Sequence, residues 1–155
     1  MQFINYFFAS VTSYLGLLSG IALVKIAPEE QKPLKKYFVH GREILLILIS
    51  IFTMFYYFND KFSLLILLAY FVFLAFVEYK MADLFKKTII AYTLLGILFF
   101  LGSKNSNLFI IESSLILLYG LPTASLVYSK KEKNGHKVIF YNLGFILIAN
   151  VLFLV

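Results

Sequence analysis

An all-α bundle of six membrane-spanning helices is the fold class this sequence predicts, and three observations carry it. The chain has 155 residues, is 61% hydrophobic and only 14% charged, and has a mean hydropathy of +0.89. A soluble domain of this size could not cover so much apolar surface, so its solvent has to be a bilayer. The apolar residues gather into six runs, roughly 3–26, 43–58, 62–79, 88–102, 107–128 and 138–155. Basic residues alternate from loop to loop between those runs, as expected of a chain that crosses a membrane repeatedly. A single transmembrane domain over residues 1–155 follows.

The first span, from Ala9 to Glu30, organises the others. Ala9, Ser13, Gly16, Gly20, Leu23 and Ala27 recur at alternating steps of four and three, which places them on one narrow helical seam. Gly16-Leu-Leu-Ser-Gly20 is a GxxxG motif, which lets a second helix approach backbone to backbone. Lipid tails are as apolar as leucine, so close packing has to replace the hydrophobic effect between helices. The run is too long for the apolar core of a signal peptide and no basic residue precedes it, so cleavage is not expected.

In the first loop, Pro28 followed by Glu29 and Glu30 reads as a helix start. Pro33 suits a first helical turn, so the second span is expected to begin there and carry Leu34-Lys-Lys-Tyr-Phe along the interface. Asp83 is expected to cap the fourth helix. Gly120-Leu-Pro122 is expected to interrupt the fifth near mid-bilayer, since proline removes an intrahelical hydrogen bond. Gly120 and Ala124 give that helix a small-residue face and make it the expected partner of Gly16 and Gly20. Tyr6, Tyr56, Tyr57, Tyr79, Tyr128 and Tyr141 fall near span ends, where an aromatic belt accounts for them.

Lys25, Lys32, Lys35, Lys36 and Arg42 belong to the first loop, Lys80, Lys86 and Lys87 to the third, and Lys130, Lys131, Lys133 and Lys137 to the fifth. These are twelve of the fourteen basic residues; only Lys61 and Lys104 lie in the even loops. Odd loops are therefore expected in the cytoplasm and both termini outside, in a multi-pass protein of the cell membrane. The net charge of +6 then reads as an insertion signal, with a bilayer of anionic headgroups as partner and no nucleic acid. Lys35, Lys36 and Arg42 are the headgroup candidates. Val77-Glu-Tyr-Lys80 with Lys86-Lys87 returns fifty residues later as Val127-Tyr-Ser-Lys130 with His136-Lys137. Three tandem helical hairpins would give that spacing, and so would any hairpins with basic turns.

Chemistry-bearing motifs are scarce. The chain has no cysteine, and it carries no nucleophile elbow, HExxH, P-loop or dinucleotide fingerprint. No cofactor or metal is implied: Glu29, Glu30, His40, Glu43, Glu78 and Asp83 share a side of the membrane but no ligand spacing. Glu112 stands out, about 7 Å below the outer boundary at 1.5 Å per residue. Ionisable groups at such depth are costly and face the bundle interior or water. Asn150, Thr53, Ser10 and Ser13 fall in the same layer, so an outward-open polar pocket is one expectation and a sealed interhelical hydrogen bond the other. Three functions fit. The first is a non-catalytic membrane component that packs against another membrane protein or itself; the second is a small permease built on Glu112. The third is an enzyme acting on lipid phosphate, with Lys35, Lys36 and Arg42 as anion holders and Glu29 or Glu30 as base.

Overall fold

A computed structural model describes residues 2–128 and 134–155, and all regular structure among them is helical. Helix α1 spans Phe3–Ile26, a single 3-10 turn covers Pro28–Glu30, and α2 spans Gln31–Tyr56. Then come α3 (Lys61–Lys80), α4 (Leu84–Gly102), α5 (Ser106–Val127), α6 (Gly135–Asn142) and α7 (Gly144–Leu154). Six segments are long and apolar enough to cross a bilayer: α1, the 3-10 turn continued by α2, α3, α4, α5, and α6 with α7.

Side-chain oxygens define three of the helix starts. Asp60 accepts from Phe62 N at 3.2 Å, Asp83 from Phe85 N at 2.9 Å, and Asn105 from Asn107 N at 3.0 Å. Each satisfies a donor that the first turn leaves without an intrahelical partner. Ser63 also donates to Asp60, and these bonds hold that carboxyl below its usual range. Pro33 lies in the first turn of α2, where its missing N–H costs nothing, and Gly41 is carried through the helix without a break.

Two spans depart from the sequence expectation. α5 runs unbroken through Pro122, so the interruption expected at Gly120–Pro122 is absent. There Pro122 Cβ lies 4.0 Å from where a Cβ on Gly41 would be, so the ring is packed against α2. The last run, expected as one helix, is divided at Leu143. Asn142 Nδ2 donates to Val138 O at 2.7 Å, so its side chain competes for a carbonyl the helix would otherwise use.

α1 packs most extensively on α5, followed by α2 on α5 and α4 on α7. Gly16 and Gly20 meet Leu117 and Ala124, so α1 and α5 run parallel; Thr53 meets Glu112 and Arg42 meets Tyr119, so α2 runs against them. One end of the bundle thereby collects Lys25, Lys32, Lys35, Lys36, Lys80, Lys86 and Lys137, and the other carries Lys61 and Lys104. Lys130, Lys131 and Lys133 lie outside the described residues.

The α1–α5 crossing leaves no room for side chains. A Cβ on Gly16 would stand 1.8 Å from Leu117 O, one on Gly120 2.3 Å from Leu17 N, and one on Gly20 2.6 Å from Ala124 Cβ. The seam does not persist to Leu23, which is 54% exposed, while Ile21 and Val24 are buried instead. A stripe repeating every 3.5 residues drifts about 20° per heptad on a helix of 3.6 residues per turn, so its later members rotate off the contact. α3 is the peripheral helix: of its 20 residues only Leu67, Leu74, Val77 and Glu78 are buried.

Gly16→Ala is expected to lower stability by about 1–3 kcal/mol, the usual cost of overpacking a fitted contact. Gly41→Ala, whose Cβ would meet Pro122 at an ordinary van der Waals distance of 4.0 Å, should be neutral or slightly stabilising. Unfolding by denaturing detergent in mixed micelles measures both.

Candidate functional site

Two groups of buried polar side chains stand out, one near each end of the bundle. The first is centred on Arg42, the sole arginine of the chain. The sequence placed it in the first loop as a headgroup ligand; the structure puts it inside α2, 1% exposed. It lies about 21 Å from the Tyr56 end of α2 at 1.5 Å per residue, well along a helix long enough to cross a bilayer. Its Nη2 donates to Glu78 Oε2 on α3 at 2.9 Å, and its Nε donates to the Tyr119 hydroxyl on α5 at 3.0 Å. The guanidinium carbon is also 5.7 Å from the centroid of the Tyr119 ring. Lys87 on α4 brings Nζ within 3.6 Å of Glu78 Oε1, with its side chain 12% exposed. Four helices thus meet at one carboxylate and two cations.

Burial explains why the cation touching Tyr119 is an arginine. A planar fork can bond a carboxylate and a hydroxyl at once while its face lies against a ring, and it is less strongly hydrated than an ammonium. That lone arginine among thirteen lysines was the sequence signal for this cluster. Its partners gave none, since Glu78 and Lys87 sit at span ends where charges are ordinary. Tyr92 completes the surroundings, its ring 5.7 Å from that of Tyr119.

The second group contains the residues singled out for depth. Glu112 is fully buried. Thr53 donates to its Oε1 at 2.6 Å and also lies 2.8 Å from Ile49 O. Glu112 Oε2 points at Gly102, where a Cβ would stand 1.8 Å away, so glycine is what makes room for the carboxyl. Asn150 Nδ2 donates to Ser10 Oγ at 3.0 Å and to Ile146 O at 2.8 Å, and Ser13 Oγ donates to Ser113 O at 3.1 Å. Tyr6, fully buried, donates to Ala149 O at 3.0 Å, and its ring stacks on Phe153 at 4.1 Å.

The layer is therefore paired in part: Thr53 meets Glu112 and Ser10 meets Asn150, while Glu112 Oε2 and Asn150 Oδ1 are buried with no hydrogen-bond partner among the described residues. Ser10, Thr53 and Glu112 have no exposed surface, Ser13 only 1%, and Asn150 is half-buried, so of the open and sealed arrangements the sequence allowed, the burial of these side chains favours the sealed one. Thr53, Ser13, Asn150 and Tyr6 each donate to an oxygen on a facing helix, whereas the Ser10 hydroxyl donates to Phe7 O within α1. Such pairing suits static packing, since an unpaired polar group in hydrocarbon costs several kcal/mol.

The remaining candidates stand apart. Lys35 and Lys36 are exposed on the first part of α2, on the basic end of the bundle. Gln31, which the sequence did not single out, ties that segment to the end of α5: its Nε2 donates to Ser125 O and Tyr128 O, both at 2.7 Å. Among the described residues no three acidic, histidine or cysteine side chains converge as a metal site would require. No protein-family model, no curated protein and no solved structure matches this chain.

Arg42→Met is expected to destabilise the protein by about 3–5 kcal/mol, because it leaves Glu78 buried with only Lys87 as partner. The double variant Arg42→Met/Glu78→Leu should recover most of that loss. Detergent-unfolding curves of the two single variants and the double form the cycle that measures it.

Proposed function

We propose that this protein is a small, non-catalytic, multi-pass membrane component that assembles with another membrane protein or with a second copy of itself. Both termini lie outside, and the basic end of the bundle faces the cytoplasm. The observation that carries this reading is the enclosure of Glu112. A carboxyl that moved ions or protons across the bundle would need a wet path, and this one has no exposed surface and lies between Thr53 and Gly102. The burial of Arg42 likewise removes one of three anion holders from a reading based on lipid-phosphate chemistry.

Assembly draws support from α3. It exposes Phe62, Leu65, Ile66, Val72, Phe73 and Phe76 and is bound to the bundle chiefly near Glu78. Another helix could add to that face by van der Waals packing without disturbing any buried pair.

A photo-crosslinker at Val72 or Phe73 should give protein adducts larger than the monomer in native membranes. Adducts with lipid alone, together with a monomer after mild extraction, would contradict assembly. Glu112→Gln should leave ion and proton flux through reconstituted vesicles unchanged; a changed flux would favour the permease. Because the natural chain has no cysteine, orientation can be read from single introduced ones. A thiol at Lys104 should label in intact cells, and one at Lys35 only after permeabilisation.

A further inference from the structure

α2 and α3 are neighbours in sequence, yet they do not close against each other along their length. They are joined at one end by the turn through Asp60 and at the other by the Arg42–Glu78 pair. Between those ties lies a groove of about 160 Å³, whose walls include Leu46, Ile47, Ile51 and Met54 on α2 and Phe71 and Leu74 on α3. From Glu43 to Met54 it runs about 16 Å along α2 at 1.5 Å per residue. Its walls are apolar, and its polar groups are concentrated at the basic end, in Glu43, Glu78 and Tyr79.

The two carboxylates at that end are in different states. Glu78 is held by Arg42 and Lys87. Glu43 is half-buried, lines the groove, and makes no ion pair among the described residues. A partly desolvated carboxylate at the edge of a bilayer favours a cationic partner. A groove that opens sideways into hydrocarbon, with an acid at the headgroup end, has the shape and polarity of a phospholipid bearing an amine.

We propose that the α2–α3 groove binds one phospholipid, with an acyl chain along Ile47, Ile51 and Phe71 and its headgroup ammonium paired with Glu43. A phosphodiester headgroup lacking an amine offers no cation to Glu43, the groove carboxylate without an ion pair, so the site favours an amine headgroup. The lipid bridges two helices otherwise joined only at their ends and steadies α3 on the bundle. This inference does not depend on whether the protein assembles with others.

The test is native mass spectrometry of the full chain released from vesicles of equal parts phosphatidylethanolamine and phosphatidylglycerol. The unsubstituted protein should retain phosphatidylethanolamine over phosphatidylglycerol about fivefold, the factor that roughly 1 kcal/mol from a half-buried ion pair gives. Glu43→Gln should bring the two to parity, and Glu43→Lys should reverse the order. Ser50→Trp, which fills the groove, should reduce retention of both. Neither Glu43 variant adds bulk to the core, so the headgroup result stands even if Ser50→Trp fails to fold. Equal retention by the unsubstituted protein, or an unchanged preference in Glu43→Gln, would overturn the proposal. So would crosslinks from Ser50 to a second protein chain in place of lipid.

Discussion

The approach of α1 to α5 at Gly16 and Gly120 is the contact on which the rest of the bundle depends. With no hydrophobic drive between helices in lipid, two backbones bind well only where small residues let them touch over a long stretch. Here the touch is close enough that one added methyl group at Gly16 would collide with the Leu117 carbonyl. The parallel alignment that results fixes the height of every residue on α5 relative to α1. Ser13 is brought to Ser113, and α7 then packs against α1 through Tyr6 and Asn150. Gly96 plays a similar part between α4 and α7, where a Cβ would stand 2.8 Å from Phe145 O.

On this frame the buried polar groups serve as interhelical ties. Arg42 joins α2 to α3 and α5, Lys87 adds α4, and Thr53 joins α2 to α5 near the other end. Hydrogen bonds of this kind between membrane helices contribute modestly, about 0.6 kcal/mol on average, because a chain not yet packed also finds partners in the bilayer. Their larger effect is on specificity. Slipping α2 by a turn would strand Arg42 and Glu112 without partners in hydrocarbon, and that penalty selects one register. α3 is tied through Glu78 alone, to Arg42 and Lys87, and buries only four of its residues.

Much of this was legible in the sequence, for identifiable reasons. Six long apolar runs can be little else in a chain this hydrophobic, and alternating lysines mark which ends lie together. The glycine steps on α1 announce a close contact, because few other causes put Gly16 and Gly20 one turn apart on an apolar helix. What the sequence hid depends on pairing across helices. Arg42 lies just before an apolar run, so residue order alone made it a loop charge; only the position of Glu78 and Tyr119 draws it inward. Pro122 reads as a break because backbone chemistry alone says so, whereas α5 continues through it with the ring set beside Gly41 on α2. Asn142 hides the division of the last span, since its side-chain bond to Val138 follows from local geometry and leaves no mark in hydropathy. Of the polar residues singled out, Thr53 meets Glu112 and Ser10 meets Asn150, but sequence position does not say whether such side chains meet one another or water.

The central claim is that the glycine seam of α1 is spent inside its own bundle, on α5. Magic-angle-spinning NMR in lipid bilayers, on isotope-labelled protein diluted into unlabelled chains, addresses it most directly. Through-space contacts between Gly16 and both Leu117 and Gly120 should appear and survive dilution. Their absence, or a Gly16 contact that vanishes on dilution because it joins two chains, would contradict the packing described here.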